Sequence, residues 1–268
     1  MTSENAFHIS ILASGSTGNS LFIETKKKKI LVDVGLSGKK ITNLLAEIGR
    51  KPEELDAIFV THEHRDHIHG LGVMARKYQL DIYANEKTWE AMNPLIGIIP
   101  TEQKQLFEMG KVMTFGDMDI ESFGVSHDAI APQFYCFHKE NHSFVMLTDT
   151  GYCSDHIRGL IRNADAYLME TNHEVEMLRA GPYPWHLKQR ILSDKGHLSN
   201  EEGALVMADV IGDKTKQIYL GHLSKKNNTK FNARLTMESI LKTKDLGVNE
   251  DFKIYDTDPE HPTELFTL

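Results

Sequence analysis

Two cysteines in 268 residues, Cys136 and Cys153, are too few for a disulfide framework. Stability must come from a buried core, and the low count together with 11 methionines fits a reducing cytoplasm. Apolar runs are just as scarce. None approaches the roughly 18–20 residues a membrane-crossing helix needs, and Met1-Thr2-Ser3-Glu4 has no basic stretch leading into an apolar one. No span and no secretory signal are therefore expected. Positive charge is in deficit, with 30 Lys and Arg against 38 Asp and Glu for a net −8. That balance argues against adhesion to duplex DNA over a broad surface, yet a local cationic site can still draw in a phosphate. Linkers, low-complexity tracts and repeats are missing too. What remains is ordinary: 40% hydrophobic and 25% charged residues, enough core for one large domain or two small ones.

One stretch is not ordinary. Thr61 to Gly70 reads THEHRDHIHG and follows the apolar run Ala57-Ile58-Phe59-Val60, which reads as a buried strand. His62, His64, Asp66 and His67 put three imidazoles and a carboxylate within six residues. Packing never requires such a cluster, whereas nitrogen and oxygen donors of this kind bind divalent zinc, manganese or iron. His62 and His64 project alike from extended chain, and a tight turn beyond them can aim Asp66 and His67 at a neighbouring point. Two adjacent metals are the natural outcome. His69 reads as a solvated loop histidine.

The pattern His-x-His-x-Asp-His after a strand resembles the signature of the metallo-β-lactamase-fold hydrolases. The resemblance runs through most of the chain: it places the third histidine at His127, the bridging carboxylate at Asp149 and the last histidine at His222. Ser14-Gly15-Ser16-Thr17-Gly18-Asn19, Glu170-Thr171-Asn172-His173 and His222-Leu223-Ser224 with Asn227-Asn228 make the finer match to the YycJ/WalJ group. The resemblance implies an α/β fold, an αββα four-layer sandwich with the site at the edge between two sheets. It also implies two divalent ions per chain (Mn2+, Zn2+ or Fe2+). His62, His64 and His127 would hold one, Asp66, His67 and His222 the other, with Asp149 between them. A hydroxide shared by the two metals would then be the nucleophile. Asp33 is expected to orient a ligand histidine.

Along the chain, strands are expected at Phe7–Ile11, Leu21–Ile23 and Ile30–Val32. Ala13 to Ser20 is either a close backbone approach to the metals anchored by Asn19, or a plain hairpin turn. Ser37 caps a helix to Ile48, and helices follow near Leu71–Tyr78 and Asn85–Met92. Asn93–Pro100 reads as irregular, a candidate rim or lid. Strand pairs are expected at 112–122 and 134–147, then a helix at 154–161 and a strand at 166–169. Ser199 and Glu202 form a capping box for a helix to Ile211. Strand 217–220, helix 230–241 and strand 252–255 complete a single domain of two αβ halves, about 1–122 and 123–268. Alternation alone also permits a doubly wound sheet; the five motifs select the sandwich.

Substrate class is less constrained, because this scaffold hosts many reactions. All seven expected ligands are nitrogen or oxygen donors. His-x-His, where flavodiiron proteins have His-x-Glu, argues against redox chemistry. Only 73 positions separate Asp149 from His222, too few for an inserted nuclease domain of the RNase J type. His197, 25 residues before His222, is the expected general acid or phosphate contact by similarity to RNase Z-like members, with His173 a second candidate and Asp66 a catalytic ligand. Ser14, Lys225, Lys226 and Arg190 are expected at the substrate, and Tyr183 and Trp185 suit base stacking. The reading that results is a phosphodiesterase, a 5′-to-3′ exonuclease on DNA. The alternatives are a small-molecule hydrolase (cyclic phosphodiesterase, lactonase or glyoxalase II-like thioesterase) and a non-catalytic metal-binding module.

Overall fold

The computed structural model describes residues 6–268, so the Met1–Glu4 stretch read above lies outside the described residues. β1 (His8–Ala13), β2 (Ser20–Glu24) and β3 (Lys29–Val32) form an antiparallel meander. α1 (Gly38–Glu47) starts at Ser37, whose side chain accepts from the Lys40 N–H, and stops ahead of Gly49 at φ 70°. β4 (Ala57–Phe59), the one-turn α2 (Arg65–Ile68), α3 (Leu71–Tyr78), β5 (Asp81–Ala84), α4 (Glu86–Ile96) and β6 (Lys104–Leu106) follow. β3, β4, β5 and β6 run parallel. α4 continues through Pro94, one turn past the expected end. The residue whose carbonyl loses its donor there, Glu90, is solvent-exposed, so the loss is tolerated until Gly97 at φ 75° ends the helix. Arg76 ties down the carbonyls of Ile96 and Ile98, and none of residues 93–100 lines the metal cleft described below, so this stretch is not its rim.

The second sheet begins with β7 (Val112–Phe115) and β8 (Met118–Gly124), then β9 (Gln133–Lys139) and β10 (His142–Leu147), all antiparallel neighbours. α5 (Asp155–Ile161), β11 (Ala166–Glu170), α6 (Val175–Ala180), α7 (Trp185–Ile191), α8 (Asn200–Val210), β12 (Gln217–Gly221), α9 (Lys230–Thr243), β13 (Lys253–Asp256) and β14 (Phe266–Thr267) complete the chain. α8 carries the expected capping box. The change of sheet falls between β6 and β7, ahead of the expected 122/123 boundary, and β14 returns the chain to the first sheet beside β1. Each sheet has seven strands, in the orders β14-β1-β2-β3-β4-β5-β6 and β13-β12-β11-β10-β9-β8-β7.

Strand alternation sorts side chains into two cores. Ile9, Ile11, Ile23, Val32 and Phe59 face the second sheet, where Ile120, Phe137 and Phe144 meet them. Phe22, Leu31, Ile58 and Ile82 point the other way, beneath Ile41, Leu44, Met74 and Met92 of α1, α3 and α4. α5, α8 and α9 cover the second sheet with Ile161, Met207 and Met237. Each fully buried side chain of this size contributes about 1.5–3 kcal/mol. The result is the αββα sandwich. No helix among the described residues is long and apolar enough to cross a membrane.

Candidate metal centre

Parallel pairing decides where the site forms. β3, β4, β10, β11 and β12 all end at one edge of the sandwich, and Asp33, His62, Asp149, Glu170 and His222 sit at or just past those ends. Asp33, Asp149 and His222 hold φ of 61°, 50° and 55°, left-handed backbone that costs a non-glycine residue roughly 1–2 kcal/mol. Specific bonds offset that cost. The His222 N–H donates to Ser14 Oγ at 2.8 Å, and Asn172 Nδ2 donates to the His222 carbonyl at 2.8 Å. The glycine- and serine-rich loop is a close approach: the Asn19 N–H donates to the Asp66 carbonyl at 2.8 Å. Gly35 must lack a side chain, because a Cβ there would lie 1.7 Å from the same oxygen.

Two sets of donors converge. In one, ligand atoms of His62, His64 and His127 lie within 4.8 Å of one another; in the other, those of Asp66, His67, Asp149 and His222 do. Asp149 reaches both, with Oδ1 3.9 Å from His127 Nε2 and 3.4 Å from His222 Nε2, and Oδ2 3.2 Å from His67 Nε2. His62 Nε2, His222 Nε2 and Asp149 Oδ2 are buried without a hydrogen-bond partner among the described residues. Buried polar atoms are rarely left so, and three of them spread over the two donor sets are what bound cations would satisfy. The donor set fits divalent metal.

In three of the rings the nitrogen away from the cluster is already committed. His67 Nδ1 donates to Asp33 Oδ2 at 2.7 Å, His127 Nδ1 to the Gly196 carbonyl at 3.0 Å, and His222 Nδ1 to Glu170 Oε1 at 3.0 Å. Each bond favours the tautomer whose Nε2 can accept toward the other donors, His67 Nε2 lying 3.1 Å from Asn19 Nδ2 and His127 Nε2 3.2 Å from His64 Nδ1. Asp33 also takes the Thr61 N–H and hydroxyl at 2.9 and 2.7 Å. Burial by itself would lower the pKa of His67, but Asp149, Asp33 and Asp66 outweigh it and hold the ring well above the usual value. Burial likewise opposes a proton on His222, yet Asp149, Asp66 and Glu170 raise it to about 10. Burial would raise Asp149, and His222 and His67 instead pull it well below the carboxylate range. His62, buried among other rings, is driven well below 6.5. These carboxylates require positive charge beside them, supplied by protons or by metal.

Asp33 gives the first prediction. Asp33→Ala strands His67 and Thr61 in a fully buried position, and breaking such a pair costs about 3–5 kcal/mol. At about 2–4 °C per kcal/mol, Tm should fall by roughly 10 °C. Metal affinity should fall 10–100-fold, by analogy with other orienting residues. Calorimetry and a metal titration check both, and a variant that melts and binds like the parent refutes the role.

A cleft of about 270 Å3 opens over the donors, walled by Tyr183, Leu187, Arg190 and Ile191 of α7 and its approach, and by Gly196 and His197. His197 enters it with its side chain 19% exposed, and Nδ1 donates to Glu170 Oε1 at 2.8 Å. Glu170 is fully buried, also takes the Thr150 N–H at 2.8 Å, and titrates near 2: burial would raise it, but His197 and His222 prevail. Sequence reading placed Glu170 at a strand end without giving it this task; the shared ending with Asp149 and His222 was the available signal. Arg190 also lines the cleft, paired with Asp128.

Two expected site residues lie elsewhere. His173 is 1% exposed, bridges its backbone to Ser199 and titrates near 4 because of burial, so it is no rim acid. Ser14 is buried with its Oγ committed to the His222 N–H, so it supports a donor and does not meet substrate. Tyr183 and Trp185 flank Pro184, which caps α7, and α6 precedes them. Lys225 and Lys226 are exposed beside the cleft, Lys226 lying 5.7 Å over the Tyr183 ring.

A family model described as a beta-lactamase superfamily domain matches residues 28–223. The chain belongs to the metallo-β-lactamase superfamily. Within it, the exodeoxyribonuclease WalJ of Streptococcus pneumoniae is 65% identical over 265 residues, covering 98% of both chains. The exodeoxyribonuclease YycJ of Bacillus anthracis is 57% identical over 258 residues, 96% of this chain and 98% of its own. Among solved structures, the metallo-β-lactamase fold protein YhfI of Bacillus subtilis superposes with a TM-score of 0.73 at 18% identity, covering 97% and 99% of the two chains, a likeness of fold alone. This metallo-β-lactamase-fold enzyme thus stands in the WalJ/YycJ group of hydrolases, and its fold implies divalent-metal binding.

Proposed function

We propose that this protein is a metal-dependent phosphodiesterase, a 5′-to-3′ exodeoxyribonuclease acting on DNA in the cytoplasm. One observation carries the reading: two donor sets bridged by Asp149 share a narrow cleft with His197, whose Nδ1 is anchored on Glu170. The relatives named exodeoxyribonuclease, similar over nearly their whole length, support DNA as the substrate.

His62, His64 and His127 would hold one divalent ion, and Asp66, His67 and His222 a second, with Asp149 common to both. Two such ions, manganese, zinc or iron, would acidify a shared water and neutralise charge on the scissile phosphate. The chain's own residues supply the rest. Glu170 holds Nδ1–H of His197, which leaves Nε2 to carry a proton to the departing sugar oxygen. Arg190, bonded to Asp128, lines one wall of the cleft, and Tyr183 offers a ring face to a base. Lys225 and Lys226 lie where backbone phosphates approach.

End-labelled DNA incubated with metal-loaded protein, alongside a thioester and bis-p-nitrophenyl phosphate, tests this. Mononucleotides should appear from 3′-blocked but not 5′-blocked strands. Cleavage of the small esters with DNA left intact refutes the nuclease.

A further inference from the structure

The cleft over the metal donors is small. At about 270 Å3 it falls just under the roughly 300–1,000 Å3 of small-molecule sites, so it suits one monomer and not a run of chain. The Arg190–Asp128 pair joins α7 to the loop that carries His127 across one wall of the cleft. On the opposite side the cleft shares Ser16 and Asp66 with a second hollow of about 780 Å3. Lys40, Arg65 and Lys225 line this hollow, and none of the three makes an ion pair with a carboxylate among the described residues. Its own carboxylates are Asp66, which turns to the metal donors, and the exposed Glu260. On a chain of net −8, three unpaired cations around one hollow beside a catalytic cleft mark an anion track.

We infer that this hollow holds the retained part of the DNA strand. The nucleotide being removed occupies the metal cleft, and the phosphates behind it run past Ser16 across Lys40, Arg65 and Lys225. The inference rests on the nuclease reading and adds to it a specific strand path. The small size of the metal cleft confines cleavage to a terminus, and the basic hollow lets the remaining strand out.

The test uses fluorescein-labelled, cleavage-resistant phosphorothioate oligonucleotides on the metal-loaded protein, a dinucleotide and a hexanucleotide, read by anisotropy across salt. The wild type should bind the hexanucleotide far more tightly. Lys40→Glu should shrink that length-dependent gain, with the salt slope shallower by about 0.7, the value for one phosphate contact on single strands. Glu260→Gln should act in the opposite sense, and this second variant guards against a misfolded first one. Equal affinity for both lengths in the wild type, with mononucleotides still released from DNA, overturns the track and leaves the nuclease standing. Absence of DNA cleavage overturns the nuclease itself. A Lys40→Glu effect confined to strands with a 5′-phosphate also overturns the track, since the hollow would then hold a terminal phosphate.

Discussion

Asp149→Ala should leave about a thousandth of the exonuclease rate. Asp149 is 2% exposed and, among the described residues, is the one carboxylate within 4 Å of both donor sets, touching His67, His127 and His222. Charge stabilisation at a metal pair is worth several kcal/mol, and each 1.36 kcal/mol is tenfold in rate. The same substitution should abolish stabilisation by metal. With free metal at a thousand times Kd, the wild type gains about 4 kcal/mol, or roughly 8–16 °C in Tm. The sign of its pH dependence follows from the two raised histidines. His67 and His222 gain their partners in the folded state, so the metal-free protein has this contribution in full below pH 6.5 and loses it as pH rises, through about 10 for His222. A cation must displace those protons, so the gain in Tm on adding metal should grow from pH 6 to pH 9. Elemental analysis, thermal melts and single-turnover cleavage measure all three. An Asp149→Ala protein that still melts higher with metal and digests DNA at a tenth of the wild-type rate would remove the bridge from the scheme.

His197→Ala should cost a hundred- to ten-thousandfold on DNA and far less on bis-p-nitrophenyl phosphate. A departing sugar alkoxide needs a proton in the transition state, whereas p-nitrophenolate leaves without one. Glu170→Gln should show the same selectivity at 10–100-fold, because it disturbs only the ring orientation that the 2.8 Å bond to Nδ1 enforces. Comparing kcat for the two substrates in each variant reads this directly. Equal losses on both would show that His197 positions the phosphate and donates no proton.

His173 and His197 illustrate how far sequence carries. Both fall in one short stretch, and both satisfy the chemistry of a rim histidine. Their difference is a backbone bridge from His173 to Ser199 that buries one ring, and a Glu170 bond that aims the other into the cleft. Neither partner is near in the chain. α6 and α7 were hard to read for another reason: at six and seven residues they span fewer than two turns, too short for a 3.6-residue period to stand out. Ser14 reads as a substrate contact because a hydroxyl is always available for one, yet the His222 N–H takes it, whereas Arg190 does line the cleft, bonded to Asp128.

The sequence by itself determined the donor chemistry, the types of the longer elements and the pairing of apolar strand ends with polar residues. Donor identity is covalent, and strand alternation and helix caps are local. Only the tertiary structure decided that those ends meet. Parallel pairing of β3 with β4 and of β10, β11 and β12 brings Asp33, His62, Asp149, Glu170 and His222 to one edge, and the left-handed turns at Asp33, Asp149 and His222 aim them inward. Strand pairing across dozens of residues, and backbone strain held by distant hydrogen bonds, depend on the whole chain being packed at once.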